Sequence, residues 1–167
     1  QAQRPQAITL IVGGDGHSYG QAAPKGSSWK NIYLNEVKDQ LDLSRIYFLG
    51  TLAYENYLKV LQLSACHVYL TYPFVLSWSC VEALSAGCVV VGSRTAPVME
   101  VIEDGHNGVL VDFFDTEALA DKASHVLAHP QAYQTLRQRA RATAVSRYDL
   151  HTQCLPAQQK LLTSLVA

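Results

Sequence analysis

The sequence predicts an α/β protein in three layers, a parallel sheet with helices on both faces. Three observations carry that expectation: five short apolar runs rich in β-branched residues, helix-period segments between them, and no regular apolar–polar alternation within the runs. A strand with one wet face alternates, whereas a strand covered on both faces is apolar almost throughout.

The candidate strands are residues 8–12, 46–49, 68–72, 88–91 and 109–111. Behind the first, residues 13–30 are polar and hold Gly13, Gly14, Gly16, Gly20 and Gly26, which reads equally as a functional loop or a disordered one. After the second, Tyr54, Tyr57, Leu58, Leu61 and Ala65 recur at helical spacing and lay an apolar stripe on one helix. The third run gives way at Pro73 to a turn, after which Ser77 can cap a helix running to Gly87, a residue suited to the position just past a helix end. Behind the fifth, Asp115 is placed to cap a helix carrying Leu119, Ala123, Val126 and Leu127. Two further helical stretches follow Pro130, to about 147 and from about 152 to 166, the last with Leu155, Leu162 and Leu165 on a loose stripe.

At 167 residues the chain is expected to form a single domain over 1–167, since a domain averages roughly 150 residues. Charged residues make up 16%, below the roughly 25% of an average soluble protein, and 49% are hydrophobic, which excludes a disordered chain. The net charge is −1 with no basic run, so nucleic acid is not an expected partner. No apolar run approaches the roughly 18 residues of a spanning helix, so no transmembrane segment is expected. Cys66, Cys80, Cys88 and Cys154 form no Cys-x-x-Cys pair, and the first three sit in apolar runs, which reads as reduced thiols and a cytoplasmic location. None of the six histidines pairs at metal-ligand spacing, and no metal is expected. The opening residues 1–6 have neither Met nor a signal pattern, which suggests a piece of a longer polypeptide.

Ligands of open parallel sheets bind beyond the carboxyl ends of the strands, where helix N-termini offer unpaired amides. The segment 71–87 has that form, with amides near Ser77 to Ser79 able to hold a diphosphate without a basic side chain. Glu82 is a lone carboxylate among Val81, Ala83 and Leu84, about one turn into the helix. It reads either as the acceptor for a ribose diol or as a solvated or ion-paired helix face. Gly14, Asp15 and Gly16 follow a strand, and either line a cleft or form a glycine turn. A dinucleotide fingerprint is excluded, because the run from Gly14 to Gly20 has one residue too many before its last glycine, and no Gly-x-Ser-x-Gly elbow is present.

The run from Arg45 to Gly50, Tyr72-Pro73-Phe74-Val75-Leu76-Ser77-Trp78-Ser79, Glu82-Ala83-Leu84-Ser85-Ala86-Gly87, Ser93 to Ile102 and Asp104-Gly105-His106-Asn107-Gly108 stand in an order that resembles the C-terminal, donor-binding half of family 4 (group 1) retaining glycosyltransferases of the GT-B fold. The resemblance covers nearly the whole chain. It implies a Rossmann-like domain and transfer of a sugar from a nucleotide diphosphate sugar, a UDP- or GDP-sugar, with retention and without metal. The setting it implies is bacterial polysaccharide or glycoconjugate synthesis.

By this resemblance Glu82 holds the ribose, as the second Glu of a Glu-x7-Glu signature. The first Glu, which contacts the donor sugar, falls on Phe74, a departure that puts that contact in doubt. The backbone of Val75, Leu76 and Ser77 would meet the sugar and phosphates, Thr51 and Leu52 would lie by the base, and Gly14 and Gly16 would line the cleft. Glu100 stands where the family has an acid after a Gly-Gly step, here Ala96-Pro97. No catalytic residue is assigned. The acceptor, a saccharide or lipid-linked, would bind an N-terminal half lying outside this sequence. The chain is therefore expected to fold without catalysing alone, and the full enzyme to reside in the cytoplasm or peripherally at the inner membrane. The competing reading is a non-catalytic sugar-nucleotide-binding or interaction module on the same scaffold.

Overall fold

The computed structural model describes residues 1–16, 20–72 and 75–166. Its strands are β1 (Thr9–Val12), β2 (Ile46–Gly50), β3 (His67–Tyr69), β4 (Val90–Ser93) and β5 (Val109–Val111). The helices are α1 (Trp29–Val37), α2 (Tyr54–Leu63), α3 (Trp78–Ser85), α4 (Ala96–Met99), α5 (Thr116–Ala128), α6 (Gln134–Tyr148) and α7 (Leu155–Val166). All strand pairings are parallel, in two groups, β1–β2 and β3–β4–β5. The chain divides into two compact units, 1–60 and 61–167.

In the first unit β1 and β2 pair from Thr9 against Ile46, and the ladder ends where Gly13 donates to the Gly50 carbonyl at 3.0 Å. Gly50 sits at φ +63, a left-handed conformation that side-chain-bearing residues avoid. Ser28 caps α1 by accepting from the Asn31 amide, and the Trp29 indole donates to the Gln21 carbonyl, so the glycine-rich segment is partly pinned by the helix that follows it.

The second unit holds the core. Val89, Val91, Val109 and Val111 lie on one face of the sheet by strand alternation, and they cluster with Val126 of α5 and Leu136 of α6. On the opposite face Gly92 meets α4, where a Cβ would lie 3.2 Å from the Val98 side chain. Helices on both faces of β4 and β5 therefore make three layers here, and each fully buried aliphatic side chain contributes roughly 1.5–3 kcal/mol.

The caps fall where the residue types place them. Ser77 accepts from the Ser79 amide, Asp115 from the Ala118 amide, and Gly87 takes φ +76 just past the end of α3. Asp149 accepts from the amides of His151 and Thr152 and starts a five-residue π turn, Leu150–Cys154, that leads into α7.

One expectation is corrected. Only β4 and β5 are buried throughout, whereas Leu10, Ile11, Tyr47, Phe48 and Val68 remain exposed. The apolar runs of β1 to β3 thus do not report cover on both faces. In the first unit the physical reason is a shortage of covering helix, since α1 buries none of its residues. The leucines of α7 are likewise exposed. No helix of the described residues is long and apolar enough to cross a membrane.

Candidate functional site

β3 ends at Tyr69, and its chain is carried two residues further by one side chain. The buried Ser93 hydroxyl donates to the Thr71 carbonyl at 3.0 Å and accepts from the Thr71 amide at 3.1 Å. Thr95 lies 3.4 Å from the same hydroxyl. The turn that follows delivers Val75, Leu76 and Ser77 to the N-terminus of α3. Phe74 lies outside the described residues, so the family's first carboxylate position carries no structural statement.

At the cap the amides are largely committed. The Ser77 amide donates to the Tyr69 hydroxyl at 2.8 Å, the Ser79 amide to the Ser77 hydroxyl at 3.3 Å, and the Cys80 amide to the Ser77 carbonyl. Trp78, at the first helical position, has no carbonyl four residues back to bond within the helix, and its side chain is 86% exposed. Tyr69 was not foreseen as a site residue, because it reads as an ordinary strand aromatic; its ring is buried and only its hydroxyl reaches the turn. Burial pushes its ionisation upward, partly offset by the hydrogen bonds from Ser77 and Thr71, so it is a neutral phenol at physiological pH.

Glu82 lies five residues past the Ser77 cap, half-buried, between the fully buried Cys80, Ala83 and Leu84. Its carboxylate makes no hydrogen bond or ion pair among the described residues. A carboxylate one turn inside a helix, without a partner among the described residues and short of full solvation, has acceptor capacity for a ligand diol.

In the first unit the ends of β1 and β2 bring two predicted residues together, since a Cβ on Gly14 would lie 3.4 Å from the Thr51 hydroxyl. Leu52 is half-buried, whereas Gly16 is exposed and has nothing within 4 Å of a Cβ built on it. Lys30, which the sequence reading passed over, forms an ion pair with Asp15 and lies over the Phe48 ring at 4.7 Å from its centre. No local spacing signals this, because Lys30 and Asp15 are fifteen residues apart.

The Asp104 to Gly108 motif is structural. Asp104 accepts from the Leu110 amide at 2.9 Å and from Arg94 at 2.7 Å. Asn107, only 3% exposed, accepts from the Glu103 amide and donates to the Val101 carbonyl and the Thr143 hydroxyl, tying the loop to α6. A Cβ on Gly108 would lie 2.6 Å from Ile102, so no side chain fits. Glu100 is exposed at the end of α4. The four cysteines are free thiols; burial pushes Cys66 and Cys80 up to about 12 and Cys88 up to about 11, which keeps these three protonated at neutral pH.

The family model described as "Glycosyl transferases group 1" matches residues 1–143. N-acetyl-alpha-D-glucosaminyl L-malate synthase of Bacillus anthracis is 27% identical over 119 residues, which is 71% of this chain and 29% of that protein. Among solved structures, sucrose-phosphate synthase from Thermosynechococcus elongatus aligns with a TM-score of 0.76 at 25% identity, covering 99% of this chain and 40% of that one. HepE of Anabaena in complex with UDP-glucose aligns with a TM-score of 0.72 at 23% identity, over 97% of this chain and 41% of that one. The chain thus spans less than a third of the curated relative and about two fifths of each of these two solved chains.

Proposed function

The chain belongs to the group 1 glycosyltransferases, and from that premise we propose that it binds the nucleoside diphosphate sugar donor and presents it for transfer to a saccharide or lipid-linked acceptor. The observation that carries this reading is the half-buried carboxylate of Glu82, without a hydrogen-bond or ion-pair partner among the described residues, inside the Ser77-capped helix beyond β3.

In this reading Glu82 accepts from the two ribose hydroxyls, and the turn from Val75 to Ser77 lies along the diphosphate. The partial positive charge at the start of α3 favours the phosphates, worth about 0.3–1 kcal/mol. Gly14, Gly16, Thr51 and Leu52 form strand-end loops of the kind that line donor sites in open parallel sheets. The reading includes retention at the anomeric carbon and a reaction that uses no metal. It also includes a role in polysaccharide or glycoconjugate synthesis in the cytoplasm or at the inner membrane face. The UDP-glucose complex of HepE supports the donor class, and the family membership supports the reaction class.

Calorimetry of the chain against UDP, GDP and ADP tests the proposal, with one of the three expected to bind selectively and to lose affinity in Glu82→Ala. Failure of all three to bind, or equal binding by the variant, sinks it. Turnover measured after joining the chain to an acceptor-binding half separates a donor domain from a non-catalytic module.

A further inference from the structure

The far end of α3 carries a second polar feature that donor binding does not use. A groove there is lined by Ala86, Gly87, Gln134, Arg137, Gln138 and Arg141. Arg137 donates from Nε to the Gly87 carbonyl at 2.7 Å, and Arg141 donates from an Nη to the Ser85 carbonyl. These bonds fix both guanidinium groups on one wall, one helical turn apart on α6. Each spends one of its five donors on a carbonyl at the end of α3, where the helix dipole favours a cation, and keeps further donors for a ligand. Neither arginine has a carboxylate partner among the described residues. The helix itself offers none: residues 134–148 hold Arg137, Arg139, Arg141 and Arg147 and no acid, in a chain whose net charge is −1.

We propose that this groove is an anion site that takes a phosphate group. Two preplaced forks with the Gln138 amide beside them, and that of Gln134, one N–H of which donates to the Gln131 side chain, offer donors from several directions, which suits a tetrahedral oxyanion better than a planar carboxylate. The site is distinct from the Ser77 end of the same helix, since eight helical residues at 1.5 Å each set the two ends about 12 Å apart. A phosphate held there would bear on the helix that positions Glu82. The proposal does not depend on the donor reading.

The test titrates the chain with inorganic phosphate, without and with excess UDP, following backbone amide NMR shifts. Saturable shifts at Ala86 and Gly87 are expected, with affinity about tenfold weaker in Arg141→Gln, the loss typical of one charged hydrogen bond. Arg141 is exposed, so that variant keeps its fold, and Arg141→Lys, which keeps the charge and loses the fork, should fall between. A second arm compares sedimentation with phosphatidylglycerol and phosphatidylcholine vesicles, to decide whether the phosphate belongs to a free solute or a lipid headgroup. Binding that depends on Arg141 in either arm upholds the site. Phosphate shifts confined to the Ser77 turn, or binding indifferent to Arg141 in both arms, overturn it.

Discussion

The backbone amide of Ser77 donates to the phenol oxygen of Tyr69 at 2.8 Å, so the last residue of β3 holds the cap of α3 in place. A helix start whose amides are already engaged is a rigid platform rather than an open anion trap. In the proposed donor reading, recognition then falls to the helix dipole and Glu82.

Tyr69→Phe removes that acceptor. Because Ser77 is exposed, water can replace the phenol, and the expected loss is about 0.5–1.5 kcal/mol of stability by urea denaturation. UDP affinity should hold or rise as the amide is released. A fall of more than about tenfold, measured by calorimetry, would instead give the hydroxyl a ligand contact.

Glu82→Ala should lower UDP affinity by about 1.5–3 kcal/mol, the scale of hydrogen bonds to a charged group. The sharper measurement is a cycle with 2′-deoxy-UDP: the native chain should discriminate against it, and the variant should not. Equal discrimination by both would detach the carboxylate from the ribose.

Gly108→Ala forces a methyl to within 2.6 Å of Ile102, itself 1% exposed. Ile102 has no room to retreat, so about 1–3 kcal/mol of overpacking is expected, with a matching drop in the unfolding midpoint. Gly14→Ala, where the nearest atom would be 3.4 Å away, should be far milder.

Asp104 supplies a pH test. Burial disfavours its charged form and pushes its pKa up, but hydrogen bonds from the Leu110 amide and Arg94, with the charges of Arg94 and Lys122, outweigh this and hold the carboxyl below its ordinary 3.8. A lowered acid stabilises the fold fully above the unfolded value and loses that contribution as the pH falls through the folded one. Acid titration of stability below about pH 4 should therefore show a component that Asp104→Asn removes.

Most of the strand and helix order is legible in the sequence, because side-chain period and capping residues are local signals: Ser77, Gly87 and Asp115 each serve the end they were read for. What stays hidden is long-range. The Tyr69 hydroxyl, the Lys30–Asp15 pair and the Ser93–Thr71 tether each join residues eight to twenty-two positions apart, with no periodic pattern to announce them. The short helix α4 also goes unread, since Pro97 looks like a turn residue until it is seen in the first turn. Asp104 and Asn107, which read as part of a family motif, prove to serve the fold.

The Ser93 hydroxyl has a mechanical meaning. It spends its donor and an acceptor site on the backbone of Thr71, doing for one residue what a rung of sheet would do, and it is rooted in β4, which is buried along its whole length. Force applied where the chain leaves Thr71 is thus transmitted to a strand buried along its whole length, and a ligand seated at the start of α3, as proposed, would lean on bedrock rather than on a loose strap.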